Sequence, residues 1–141
     1  MGEMLATIER AAHLIGAYVE RSAGELGITQ AEAHVLAVLQ RHGPTAIATL
    51  HREFGHKRST LTNILDRLER RKLTRRELNA DDRRSFVVHL TPSGARAATS
   101  LTKALDELER TARASLSASD VRSLEAVAAA IGAAVGREAP A

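Results

Sequence analysis

Cysteine and tryptophan are absent from this chain, and Tyr18, Phe54 and Phe86 are its only aromatic residues. Without cysteine there can be no disulfide, no thiolate metal site and no thiol-based redox switch. With aromatics at 2% in a chain that is 44% hydrophobic, the core must be built from Ala, Leu, Ile and Val, which suits packed helices. No apolar run approaches the ~20 residues a membrane-spanning helix needs, and the N-terminus carries no signal-peptide pattern, so a cytoplasmic protein is expected. Catalytic motifs are missing too: there is no Gly-x-Ser-x-Gly elbow, no phosphate-binding loop and no metalloprotease helix. Among His13, His34, His42, His51, His56 and His89, no two stand three or four apart, the spacing that puts two ligands on one helix face. The expectation is therefore a non-enzyme with no metal and no cofactor.

What is present is basic charge in the middle. From His51 to Leu90, eleven Lys and Arg stand against six Asp and Glu, hence +5; with +3 for the whole chain, the rest nets −2. A basic centre between mildly acidic ends is the footprint of a nucleic-acid-binding module on a different kind of scaffold. At 141 residues there is room for one domain with its own core and an oligomerisation arm.

Periodicity gives the elements. Met4, Leu5, Ile8, Ala11, Ala12, Ile15 and Val19 recur at steps of three and four, the stripe of a first helix. Thr29 with Glu32 has the spacing of a capping box for a second, with Ala33, Leu36, Ala37 and Leu39 inward. "RHGPT" stops it, and Thr45 is expected to cap a short third helix whose inward residues are Ile47 and Leu50. In "RSTLTNILDRLERR", Leu61, Ile64, Leu65 and Leu68 form a core-facing stripe, while Ser59, Asn63, Asp66 and Arg70 point the other way, with Thr60, Thr62 and Arg67 on the flanks. A short helix, a tight turn and a second helix with a polar, basic outer face read as a helix-turn-helix, the second helix being the recognition helix. Asn63 can make a bidentate bond to adenine, and Ser59 or Thr60 can cap the helix. Asp66 is expected to pair with an arginine and fix its direction.

The next stretch, "RRELNADDRRSFVVHLTPSG", reads as a hairpin with Phe86, Val88 and Leu90 alternating against Ser85, Val87 and His89. The linker "LNADDRR" looks too long for a two-residue turn, which places Arg83 and Arg84 at the tip. A hairpin directly after a recognition helix is a wing, and arginines at its tip suit the negative potential of a narrow minor groove. Of the basic positions Lys57, Arg58, Arg67, Arg70, Arg71, Arg75 and Arg76, about half are expected to touch phosphate. Thr91 then caps a helix that has Pro92 at its first position and a seam of Ala98, Leu101, Leu105, Leu108 and Ala112. Ser117 with Asp120 can cap a last helix striped by Val121, Leu124, Ala128, Ile131 and Val135.

In "TQAEAHVLAVL", "RSTLTNILDRLERRKLTRR" and "NADDRRSFVVHLTPSG", and in the order of elements around them, the chain resembles the MarR family of bacterial winged-helix transcription regulators over residues 29–94. The wing signature is Asp82, Arg83 and Arg84, followed by a strand and then Leu90, Thr91 and Gly94. The resemblance implies a mainly α fold with a small β-hairpin wing: a winged helix-turn-helix over 29–91, with helical dimerisation regions at 1–28 and 92–141. It implies a homodimer pairing its first, fifth and sixth helices across a two-fold axis, and a pseudo-palindromic double-stranded DNA operator. By analogy Arg84 enters the minor groove, Asp82 orients it or a neighbouring arginine, and Arg83 contacts phosphate. With Lys57, Arg58, Ser59, Thr60, Thr62, Asn63, Arg67 and Arg75, these make the expected DNA surface. The resemblance also implies a repressor released by a small aromatic or lipophilic effector, near where His13, Tyr18 and His34 should lie. Thiol-sensing relatives are no model for a chain without cysteine. Two rival readings remain: a winged helix used to bind protein, and an architectural protein without a preferred operator.

Overall fold

A computed structural model describes residues 2–54 and 58–138. Its elements run α1 (Glu3–Glu25), α2 (Gln30–His42), β1 (Thr45–Ala46), α3 (Ile47–Phe54), α4 (Arg58–Arg70), β2 (Thr74–Asn79), β3 (Asp82–Leu90), α5 (Pro92–Arg113) and α6 (Ala118–Glu138). The chain divides into two compact units, one extending through Leu105 and one beginning at Asp106. The architecture is the expected one, mainly helical with a small antiparallel sheet.

The core of the first unit is aliphatic. Leu61, Ile64, Leu65 and Leu68 of α4 are each no more than 2% exposed, and join Val35, Leu36 and Leu39 of α2, Leu50 of α3 and Val88 of β3. Val19 and Ala23 of α1 and Ala98 and Leu101 of α5 belong to the same cluster. Fully burying one Leu or Ile contributes roughly 1.5–3 kcal/mol, so these stripes, rather than intrinsic propensity, hold the helices in place.

The sheet order is β1-β3-β2, with Thr45 paired to Val88 and Ala46 to Val87. Here the expected role of Thr45 is corrected. It does not cap α3; its hydroxyl donates to the Gly43 carbonyl at 2.8 Å, its backbone lies in β1, and α3 starts at Ile47. Two residues of extended chain before the helix give β3 a second neighbour, a gain that no local pattern announces.

Helices α1 and α4 end in the same kind of corner. After α1, Ile28 N–H donates to Ala23 and Gly27 N–H to Gly24, with Gly27 at φ 72°. After α4, Leu73 N–H donates to Leu68 and Lys72 N–H to Glu69, with Lys72 at φ 58°. This Schellman arrangement needs a left-handed residue, which glycine adopts without strain and lysine does not.

The Leu-Thr-x-x-Gly stretch has a physical reason. Thr91 Oγ1 accepts the Gly94 N–H at 3.0 Å and donates to the Lys72 carbonyl at 2.6 Å, while Thr91 N–H donates to the Leu73 carbonyl at 3.1 Å. The corner after α4 is thereby stitched to the start of α5, so tightly that a Cβ on Gly94 would overlap the Leu73 carbonyl. Gly94→Ala should therefore destabilise the fold by about 3 kcal/mol, the upper range for overpacking, which denaturant titration would measure. A loss below about 1 kcal/mol would mean the corner yields freely.

In the second unit, the N–H of Ser117 donates to Asp120 Oδ2 at 2.8 Å and the N–H of Asp120 to Ser117 Oγ at 3.1 Å, the reciprocal cap expected for α6. The Ser117 backbone N–H, aided by its side chain, holds the Asp120 carboxyl below its ordinary value of 3.8. A depressed carboxyl stabilises the fold above its unfolded value and loses that contribution as pH falls through the folded value. Carboxyl NMR should show Asp120 titrating below 3.8; a midpoint at or above it would contradict the cap.

Candidate nucleic-acid interface

Because one face of α4 is committed to the core, the opposite face is fixed in direction. Ser59, Thr60, Thr62 and Asn63 are all exposed there. Farther along, Asn63, Arg67 and Arg70 line one shallow depression together with Asp66 and Glu69. Lys57 lies outside the described residues, and of Arg58 only the backbone is described.

Three arginines expected among the phosphate-facing charges are engaged by other parts of the chain. Arg76 of β2 bridges to Asp66 and, at 2.7 Å, to Glu69, tying the wing to α4. Hydrogen bonding to Glu69 and then Asp66 pushes the Arg76 pKa up, outweighing its partial burial. Asp66 thus pairs with an arginine, as expected, and the arginine is Arg76. Arg71 reaches back to the Gly27 carbonyl and, at 3.2 Å, to that of Leu26, so it braces the corner after α1. Arg67 donates Nε to Glu32 Oε1 at 3.0 Å; its side chain is 43% exposed, whereas that of Glu32 is 4% exposed. The pair is thus half in the core and half on the surface. Arg75 pairs with Glu77 at 3.3 Å on the outer side of the wing, where His89 also meets Glu77 at 2.8 Å.

Glu32 went unrecognised as a structural carboxylate. Thr29 Oγ1 does accept the Glu32 N–H at 3.2 Å, but the carboxylate is engaged by Arg67. The signal was present: Glu32 stands at the head of the buried run Glu32, Val35, Leu36 and Leu39, and a carboxylate on a buried stripe requires a cation.

The wing tip corrects a second expectation. The strands converge until Asn79 pairs with Asp82, leaving only Ala80 and Asp81 between them. The extra length sits in β3, where the register jumps from the Leu78–Phe86 pair to the Asn79–Asp82 pair. Residues 83–85 therefore bulge from the strand beside the turn, and such a bulge re-aims side chains. Asp82 Oδ1 accepts the Arg84 N–H at 3.0 Å, Asn79 Oδ1 accepts the Asp81 N–H at 3.1 Å, and Asn79 Nδ2 donates to Ser85 Oγ at 3.4 Å. Asp82 thus positions the backbone of Arg84, whose side chain is exposed; of Arg83 only the backbone is described. Asn79 and Ser85 belong to this tip although nothing in their spacing singled them out.

The residues expected near an effector separate. Tyr18 and His34 line one narrow cleft with Val19, Ser22, Ala33, Leu101, Ala104 and Leu105, with room for about one water molecule. The Tyr18 hydroxyl donates to the Ala104 carbonyl at 3.0 Å. His13 is exposed on α1 and is not among the cleft's lining residues.

Comparison with known proteins meets this geometry. The model of the MarR family matches residues 26–85. The HTH-type transcriptional repressor MdtR of Bacillus subtilis (strain 168) is 37% identical over 68 residues, covering 48% of this chain and 44% of that protein. The HTH-type transcriptional repressor NicR of Pseudomonas putida is 32% identical over 79 residues, 56% of this chain and 50% of its own length. The chain spans about half the length of these relatives. Among solved structures, S. aureus MepR in a DNA-binding conformation superposes with a TM-score of 0.88 at 23% identity, over 95% of this chain and 99% of that one. A MepR–DNA complex superposes at 0.82 with the same identity and coverage; at 23% this likeness speaks for the winged-helix fold. The family model thus matches from the corner after α1 to the bulge of the wing, and over that winged-helix segment, residues 26–85, the chain is similar to the MarR family.

Proposed function

We propose that this chain is a sequence-specific double-stranded DNA-binding transcriptional regulator that acts in the cytoplasm as a homodimer on a pseudo-palindromic operator. The observation that carries the reading is the rigid pairing of two exposed elements. The polar face of α4, with Ser59, Thr60, Thr62 and Asn63, and the wing, with Arg84, are fixed to one another by Arg76 on Asp66 and Glu69. In this reading α4 enters the major groove and Asn63 reads a base, while Arg84 enters the adjacent minor groove. Lys57, Arg58, Arg83 and the exposed parts of Arg67 and Arg75 serve the phosphates.

Dimerisation through residues 1–28 and 92–141 is supported by uncovered apolar faces. On α1, Met4, Leu5, Leu14 and Ile15 are exposed, as are Leu124 and Val135 on α6. Repression rests on the kinship with MdtR and NicR, both transcriptional repressors. A small aromatic or lipophilic effector would act at the Tyr18–His34 cleft, which has to widen to admit it; His13 lies apart from that cleft.

Sedimentation should find a dimer at micromolar concentration, and a stable monomer would remove the two-fold operator from the proposal. Asn63→Ala should relax preference at one position per half-site, at about 1–3 kcal/mol for a lost bidentate pair. Arg84→Ala should weaken binding, lower the salt slope by roughly one unit and reduce preference for A·T-rich flanks. A folded, dimeric Arg84→Ala protein with parental affinity and slope would defeat the minor-groove role.

A further inference from the structure

Leu78 and Phe86 sit directly opposite each other on the last regular rung of the wing, and remain 60% and 40% exposed. Two rungs inward, Arg76 faces Val88, and with a period of two this pair lies on the same side of the sheet as Leu78 and Phe86. Val88 is fully buried and Arg76 is turned to the α4 carboxylates. The sheet face that seals the core therefore continues past it as an apolar overhang on the side where α4 lies. Charged or polar residues are the usual choice for so exposed a hairpin, and this chain places one of its two phenylalanines there instead.

We propose that Leu78 and Phe86 form a shelf that packs against the deoxyribose edges of the DNA strand bordering the groove entered by Arg84. The inference rests on the DNA-binding reading and adds a contact that carries no charge. Arg84 stands two residues before Phe86 and is exposed, so a polyanion drawn to that arginine arrives beside the shelf. Between its phosphates, the wall of a minor groove offers the C–H faces of the sugars, an apolar surface on the scale of two side chains. A protein partner fits poorly, because one rung of a hairpin supplies far less than the ~1,000 Å² a specific interface needs.

The test uses the full chain and a labelled duplex that the parent protein selects from a random-sequence pool. Phe86→Ala and Leu78→Ser should each bind about ten-fold more weakly, with the salt slope of the parent unchanged, since no phosphate contact is lost. Phe86→Trp introduces the sole tryptophan, and its emission should shift or quench when the duplex is added. Parental affinity in both truncations, or a tryptophan signal unmoved in a complex that anisotropy shows to have formed, would overturn the shelf while leaving DNA binding intact. Loss of dimer mass in Leu78→Ser at parental DNA affinity would assign the pair to a second copy and overturn it as well. Failure of the parent to bind any duplex would be seen before any variant is made, and would remove the DNA reading itself.

Discussion

Four aliphatic side chains on α4, Leu61, Ile64, Leu65 and Leu68, determine which way every other residue of that helix can face. Each is essentially removed from water against α2, α3 and β3. A helix with one stripe so anchored cannot rotate without exposing several kilocalories of apolar surface, so Ser59, Thr62 and Asn63 are held outward by the same burial that makes the core. In a chain nearly free of aromatics, packing this precise has to come from many small aliphatic contacts, and α4 shares them with α2, α3 and β3.

The arginines show how a basic segment is divided between structure and surface. Arg71 and Arg76 tie α4 to the corner after α1 and to the wing, and Arg67 answers the carboxylate of Glu32. Of these, the Arg76 contacts hold the spacing between α4 and the wing. A guanidinium suits such work because it is planar, permanently charged and able to meet two acceptors at once. What is left over for a polyanion is therefore smaller than the count of basic residues implies.

At that wing, the extra residues of β3 are absorbed in a bulge rather than in a long loop. Asn79, Asp82 and Ser85 hydrogen-bond the turn into shape, so Arg84 projects from an ordered backbone. On the proposed reading, this order matters as much as the charge, because an arginine already fixed at its root loses less freedom when it enters a groove. The same bulge leaves Leu78 and Phe86 as the outermost regular pair, bringing apolar surface beside the cation.

The sequence by itself determined the helices, the identity of the α4 stripe, the caps at Thr91 and Ser117 and the existence of a wing, since each rests on a repeat or spacing within a few residues. It also led to the expectation that Asp66 pairs with an arginine. Only the tertiary structure decided that this arginine is Arg76, that Arg67 belongs to Glu32, and that Thr45 is a strand residue rather than a cap. Each of these joins positions far apart in the chain, with Thr45 and Val88 the most distant. The side of the wing on which Leu78 and Phe86 emerge was likewise undecided, because a strand's alternation gives two faces without saying where the core beneath one of them stops. That limit is set by where α4 ends and Arg76 turns to meet it, a boundary made by packing.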